Sequence, residues 1–148
     1  MTMKRRISTV VGVALVGLAV SAPRAGAADL LTGDWSGSYT CFQGLTRLAL
    51  VIMPDGQQWS GTFMFAPHKT NKDVPFGSYE IAVSESDGVY TIEPGQWIDQ
   101  PDGYVPVGGS GTLSSDLMTF SGTLDFAGCE GFEAIRQTPL PSVSGKTK

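Results

Sequence analysis

The 148-residue chain is poor in the groups that most chemistry needs: it has one histidine and two cysteines. Neither cysteine has a near neighbour of its kind, and the only imidazole is His68. A zinc centre or a CxxC redox pair is therefore not expected, and no metal or cofactor is. Long apolar runs are missing too. The longest, Val10 to Val20, has eleven residues, where a membrane-spanning helix needs about 20. Beyond residue 28 no apolar recurrence of helical period is found.

Positive charge is the other shortage. Lys4, Arg5, Arg6 and Arg24 lie in the first 27 residues, which leaves six basic against 14 acidic side chains in residues 28–148, a net charge of −8. Such a chain lacks the cationic face that phosphate backbones require, which excludes nucleic acid as a partner. A neutral small molecule, a saccharide or a basic protein stays compatible with it.

The first 27 residues join a basic start to the short apolar run and end on Ala25-Gly-Ala27. That order predicts a cleaved secretory signal peptide and a secreted or periplasmic protein. Arg5-Arg6 is compatible with twin-arginine export, although a basic pair also suits the ordinary route. No lipobox cysteine marks the signal's end, so no lipoprotein anchor is implied. Residues 28–137 are the length of one domain, expected to be monomeric, and the Pro-, Ser- and Lys-rich stretch 138–148 reads as a disordered tail.

Within the domain the period is two. Trp35, Gly37, Tyr39 and Cys41 share one face of the segment from Gly33 to Cys41, opposite Asp34, Ser36, Ser38 and Thr40. The phrase returns as Trp59-Ser-Gly-Thr-Phe63, Gly109-Ser-Gly-Thr-Leu113 and Phe120-Ser-Gly-Thr-Leu124. Further alternating runs cover 46–52, 77–84 and 89–93. Longer ones cover 104–113, where Val105, Val107 and Gly109 share the inward parity, and 117–126, where Phe120, Leu124 and Phe126 do. A last strand covers 129–137, and its facing is ambiguous. Eight strands in series predict an all-β, antiparallel up-and-down barrel, closed because closure removes exposed edges; a β-sandwich is the alternative.

Two cysteines in an exported chain predict one disulfide, Cys41–Cys129. It closes a loop of about 89 residues, for which the chain-entropy picture gives about 4–5 kcal/mol. In a closed barrel these cysteines end the first strand and begin the last, at one pole, so the bond fastens the closure. The tight turns Pro54-Asp-Gly56, Ser86-Asp-Gly88 and Ser114-Ser-Asp116 then share the opposite pole, and both long connections, 66–76 and 94–103, share the disulfide pole. A barrel open beneath long loops is a common ligand entrance.

That placement nominates Gln96, Trp97, Asp99, Gln100 and Tyr104, in which flat aromatic faces bury area and polar neighbours set orientation. Lys69 and Asn71 flank them from the other loop, whose cationic groups His68, Lys69 and Lys72 either receive a carboxylate or sulfate or simply solubilise the loop. No catalytic set is nominated, because no serine, cysteine or carboxylate has a spacing that pairs it with His68. Glu93, Asp99 and Asp102 offer a carboxylate pair for glycoside hydrolysis, a pattern any acidic chain supplies.

Gly33-x-Trp35 at the start of the first strand resembles the calycin group of small barrels, and Gly33-Asp-Trp-Ser-Gly-Ser-Tyr39 is similar to the opening of avidins in particular. The resemblance implies an eight-stranded barrel; no biotin site is carried over. Tyr39-Thr-Cys-Phe-Gln-Gly44 resembles the opening of bacterial C-type lysozyme inhibitors, small exported barrels with a disulfide. The expectation is thus a non-enzymatic binding protein for a small molecule or saccharide. The alternatives are an inhibitor of a cell-wall hydrolase such as lysozyme and a minor glycoside-active enzyme.

Overall fold

The computed structural model of the protein describes residues 30–140; the expected signal peptide and nearly all of the expected tail lie outside them. Eight strands follow one another: β1 Gly33–Cys41, β2 Gly44–Asp55, β3 Gln58–Ala66, β4 Gly77–Ser86, β5 Val89–Asp99, β6 Gly109–Leu113, β7 Thr119–Leu124 and β8 Gly131–Arg136. Each pairs antiparallel with the next, and β8 pairs with β1, giving a closed barrel. No helix occurs among the described residues.

The period-two pattern places the core. Trp35, Leu48, Leu50, Ile52, Trp59, Phe63, Tyr79, Ile81 and Phe120 point inward and are buried. The facing of β8, ambiguous by pattern, is settled by Phe132, Ala134 and Arg136, all inside. The barrel is narrow enough that glycine is required where strands close up. A Cβ on Gly37 would lie 1.8 Å from the carbonyl oxygen of Glu133 across the β1–β8 seam.

Several bounds differ from the alternation. β7 and β8 are shorter than 117–126 and 129–137, so Cys129 lies just before the last strand and does not begin it. The largest changes surround β5 and β6. Pro94 to Asp99, expected in a loop, extends β5 along β4 through two register slips around Tyr79. Glu93, Pro94, Gly95 and Gln96 are all exposed, so the alternation is lost although the backbone stays extended. Conversely, Tyr104 to Gly108 is irregular, since Pro106 has no N–H for a ladder, and β6 begins only at Gly109. The irregular connection is therefore 100–108. Val105 and Phe126, placed inward by parity, are exposed because each lies beyond its strand.

The seam is fastened at both poles. At one, the Cys41–Cys129 disulfide joins residues 88 apart in sequence, and the Glu130 amide donates to the Thr40 carbonyl at 2.8 Å. At the other, Arg136 is only 4% exposed. Its guanidinium donates to the carbonyls of Thr32 (2.7 Å), Leu117 (2.9 Å) and Leu30. It also lies 4.2 Å from the ring centroid of Trp35, whose indole N–H donates to Leu31. Burial of a charge is tolerable only when it is hydrogen-bonded, and here backbone carbonyls accept from all three guanidinium nitrogens. The left-handed φ of 62° at Leu117 belongs to the turn whose carbonyl Arg136 holds.

Replacing Arg136 by methionine is expected to cost about 3 kcal/mol or more, since three partly buried carbonyls lose this donor at about 1–3 kcal/mol each. Arg136→Lys should recover only part, because an ammonium cannot span the fork. Urea midpoints at unchanged m-value measure both, and a loss below about 1 kcal/mol for Arg136→Met contradicts the assignment.

Candidate functional site

The disulfide pole gathers the connections β1–β2, 67–76, 100–108 and 125–130, as the closed meander requires. Beneath them an aromatic column fills the barrel. Phe63 stacks on Tyr79 at 4.8 Å, and Tyr39 meets Phe63 edge-on at 5.6 Å. Tyr104 stacks on Phe65 at 5.4 Å and 13°. Trp97 presents its ring to Tyr79 (5.2 Å) and Phe65 (6.2 Å), each at 74°.

Between this column and the rim lies a cavity of about 20 Å³, bordered by Tyr39, Gln43, Phe63, Tyr79 and Tyr104. That is room for one water, so packed rings close the barrel's mouth at this pole. The inward glycines do not leave a chamber: a Cβ on Gly111 would sit 2.9 Å from the rings of both Phe120 and Phe132. Gln43 Nε2 donates to the Tyr39 hydroxyl and to Thr46 Oγ1, both at 3.2 Å, while Gln43 Oε1 is buried without a partner beside the cavity.

Segment 100–108 is tied down over this core. The Tyr79 hydroxyl donates to the Val107 carbonyl (2.8 Å) and accepts from the Val107 amide (3.2 Å). Gln100 Nε2 donates to the Tyr104 carbonyl at 3.2 Å, closing the tip. On the other side, Asn71 Nδ2 donates to the carbonyls of Gln43 (2.6 Å) and Leu45 (3.2 Å), pinning loop 67–76 to the β1–β2 turn. His68 is part of the same small turn: its Nδ1 receives the Thr70 amide at 3.2 Å and meets the Thr70 hydroxyl at 2.7 Å.

The structure divides the residues nominated by sequence. Trp97 and Tyr104 come together on Phe65 and are half-buried. Asn71 and Gln100 spend their amides on backbone carbonyls. Gln96 is exposed on β5, while Asp99 and Lys69 face recesses on the outer wall. Glu93 and Asp99 pair with Ala82 and Ser78 of β4, four residues apart. That is about 13 Å of strand between their backbones. Among the described residues no three His, Cys, Asp or Glu side chains gather to hold a metal.

Two contributors at this pole escaped the sequence reading. Phe42 (65% exposed) and Phe126 (41% exposed) lie 6.3 Å apart by ring centroid, and Phe42 is 6.3 Å from Tyr104. Together with exposed Val105 they form an apolar patch on the rim. Phe42 follows Cys41 out of strand parity, a signal that could have found it. Comparison with protein-family models, with curated proteins and with solved structures returns no match.

Burial pushes the phenols of Tyr39 and Tyr79 well above the ordinary value of 10.0. The native barrel thus keeps protons that the unfolded chain releases near pH 10, so stability is unaffected below that pH and falls as pH rises beyond it. An alkaline titration should show both phenolates appearing only with cooperative unfolding, when phenolate absorbance is compared with circular dichroism. Independent titration of all four tyrosines near pH 10 would contradict this.

Proposed function

We propose that the protein is an extracytoplasmic, non-catalytic binding protein that takes a small molecule or saccharide against its disulfide pole. The observation that carries this reading is the exposed patch of Phe42, Tyr104, Phe126 and Val105 on a rim held by hydrogen bonds from below. Exposed aromatic faces on a rigid frame bury area with little ordering cost, and contiguous patches of this kind mark contact surfaces. The ligand rests on the pole and does not enter the barrel, whose cavity of about 20 Å³ admits nothing larger than water.

A second reading has its own support. Asp102, Asp125 and Glu130 are exposed on the connections that carry the patch, so acidic and apolar groups share this pole. That combination suits a basic protein and supports a reading as an inhibitor of a cell-wall hydrolase such as lysozyme.

Isothermal titration with a panel of neutral cello-, xylo- and chito-oligosaccharides, alongside a basic lysozyme, tests both. Binding to one panel member, insensitive to salt, supports the first reading, and lysozyme binding that weakens steeply with salt supports the second. In either case Phe42→Ala should lower affinity about tenfold or more while leaving the melting temperature within a few degrees. Unchanged affinity in Phe42→Ala removes the rim patch as the binding surface. Trp97→Ala is a poorer probe because its ring belongs to the core contacts of Tyr79 and Phe65.

A further inference from the structure

Away from the rim, the outer wall carries a second surface that owes nothing to the aromatic patch. Outward positions in register across five strands, Ser36, Ala49, Met64, Ser78 and Asp99, form one row. Three of the five are serine or alanine, so the wall is low along this row. Phe76, 68% exposed, stands beside it, and a recess of about 260 Å³ results, with Met64, Ala66 and Phe76 on its sides. Next to it lies a wider recess of about 620 Å³, bordered by Ser38, Arg47, His68, Lys69 and Lys72. Arg47 borders both.

The charge distribution gives the pair of recesses a direction. The described residues contain four Lys and Arg side chains in an otherwise acidic domain. Arg136 is buried on backbone carbonyls. The other three, Arg47, Lys69 and Lys72, all border the wider recess. Like charges repel, and an acidic surface would hold its cations apart among its carboxylates at lower energy; gathering them in a concavity focuses a positive field there. The apolar recess opens from the same arginine, while Asp99 sits at its far end and keeps an anion at the Arg47 side.

We propose that this outer wall binds a small amphipathic anion. Its oxyanion head lies between Arg47, Lys69 and Lys72, and its apolar body lies along Ala49 and Met64 beneath Phe76. Arg47 supplies the planar donor fork suited to carboxylate, sulfate or phosphate oxygens, and the lysines add point charges. The smaller recess limits the body to a single ring or a short alkyl chain.

Amide NMR titration of the folded domain tests this with three probes: octyl sulfate below its micelle concentration, octyl glucoside and inorganic sulfate. Octyl sulfate should saturate and shift the amides of Arg47, Ala49, Met64 and Lys69, and the neutral and the headgroup-only probes should bind at least about tenfold more weakly. Arg47→Gln and Met64→Asn, both outward-facing, should each lower octyl sulfate affinity by about tenfold with the spectrum otherwise native. Phe42→Ala should leave it unchanged, which separates this site from the rim. Equal binding of octyl glucoside, equal binding of sulfate, or shifts confined to Phe42 and Tyr104 would each overturn the proposal.

Discussion

The pairing of β1 with β8 is the constraint on which the rest of the molecule depends. Every other neighbour in the barrel is next in sequence, joined by a connection of ten residues or fewer, but these strands meet only at the end of the chain's path. Two unlike fasteners hold them. A covalent bond closes one pole, and at the other a buried guanidinium gathers carbonyls from the chain entering β1 and from the β6–β7 turn. The first acts mainly by restricting the unfolded chain. The second acts in the folded state, where an arginine deprived of its carbonyls would be a buried unpaired charge. Gly37 is the backbone condition for both, since any side chain there would collide with Glu133.

A seam drawn this tight leaves little interior. The glycines that permit strands to approach also bring Phe120, Phe132, Phe63 and Tyr79 into contact, and the barrel fills with rings. Closure and a roomy ligand chamber are thus in competition, and here closure prevails. The surfaces proposed for binding therefore lie on the outside: an aromatic patch on the pole and a charged recess on the wall. Both sit on frames fixed from within, the rim by the hydroxyl of Tyr79 and the loop beside the recess by the amide of Asn71.

Strand order and most inward faces could be read from residues alone because alternation is a short-range rule, and the disulfide because two cysteines allow a single pairing. Trp35, Tyr39 and Cys41 alternate, and so do Tyr79, Ile81 and Val83, and one face of a narrow barrel is always buried. The failures came where that rule lapses. The bulged half of β5 keeps extended backbone without alternation, so Pro94 and Gly95 read as loop. Val105 and Phe126 continue an alternating pattern past the point where pairing stops. The loop cations His68, Lys69 and Lys72 were legible as a candidate anion site, but Arg47 beside them was not. The recess is assembled from β1, β2 and the loop after β3, and only the cross-strand register places Ser38, Arg47 and Ala66 side by side. Asn71 and Gln100 looked like ligand groups because their partners are backbone carbonyls, which a sequence pattern does not display.

The central assertion is that the β1–β8 seam is no weaker than the ladders formed by hairpin neighbours. Native-state hydrogen exchange measures this directly, since each amide reports the free energy of the opening that exposes it. Paired amides of β1 and β8 should exchange with the same opening free energy as those of β2 and β3, through global unfolding alone. A set of β8 amides that opens several kcal/mol below the rest, while β2 and β3 stay protected, would show an unfastened seam and contradict the account.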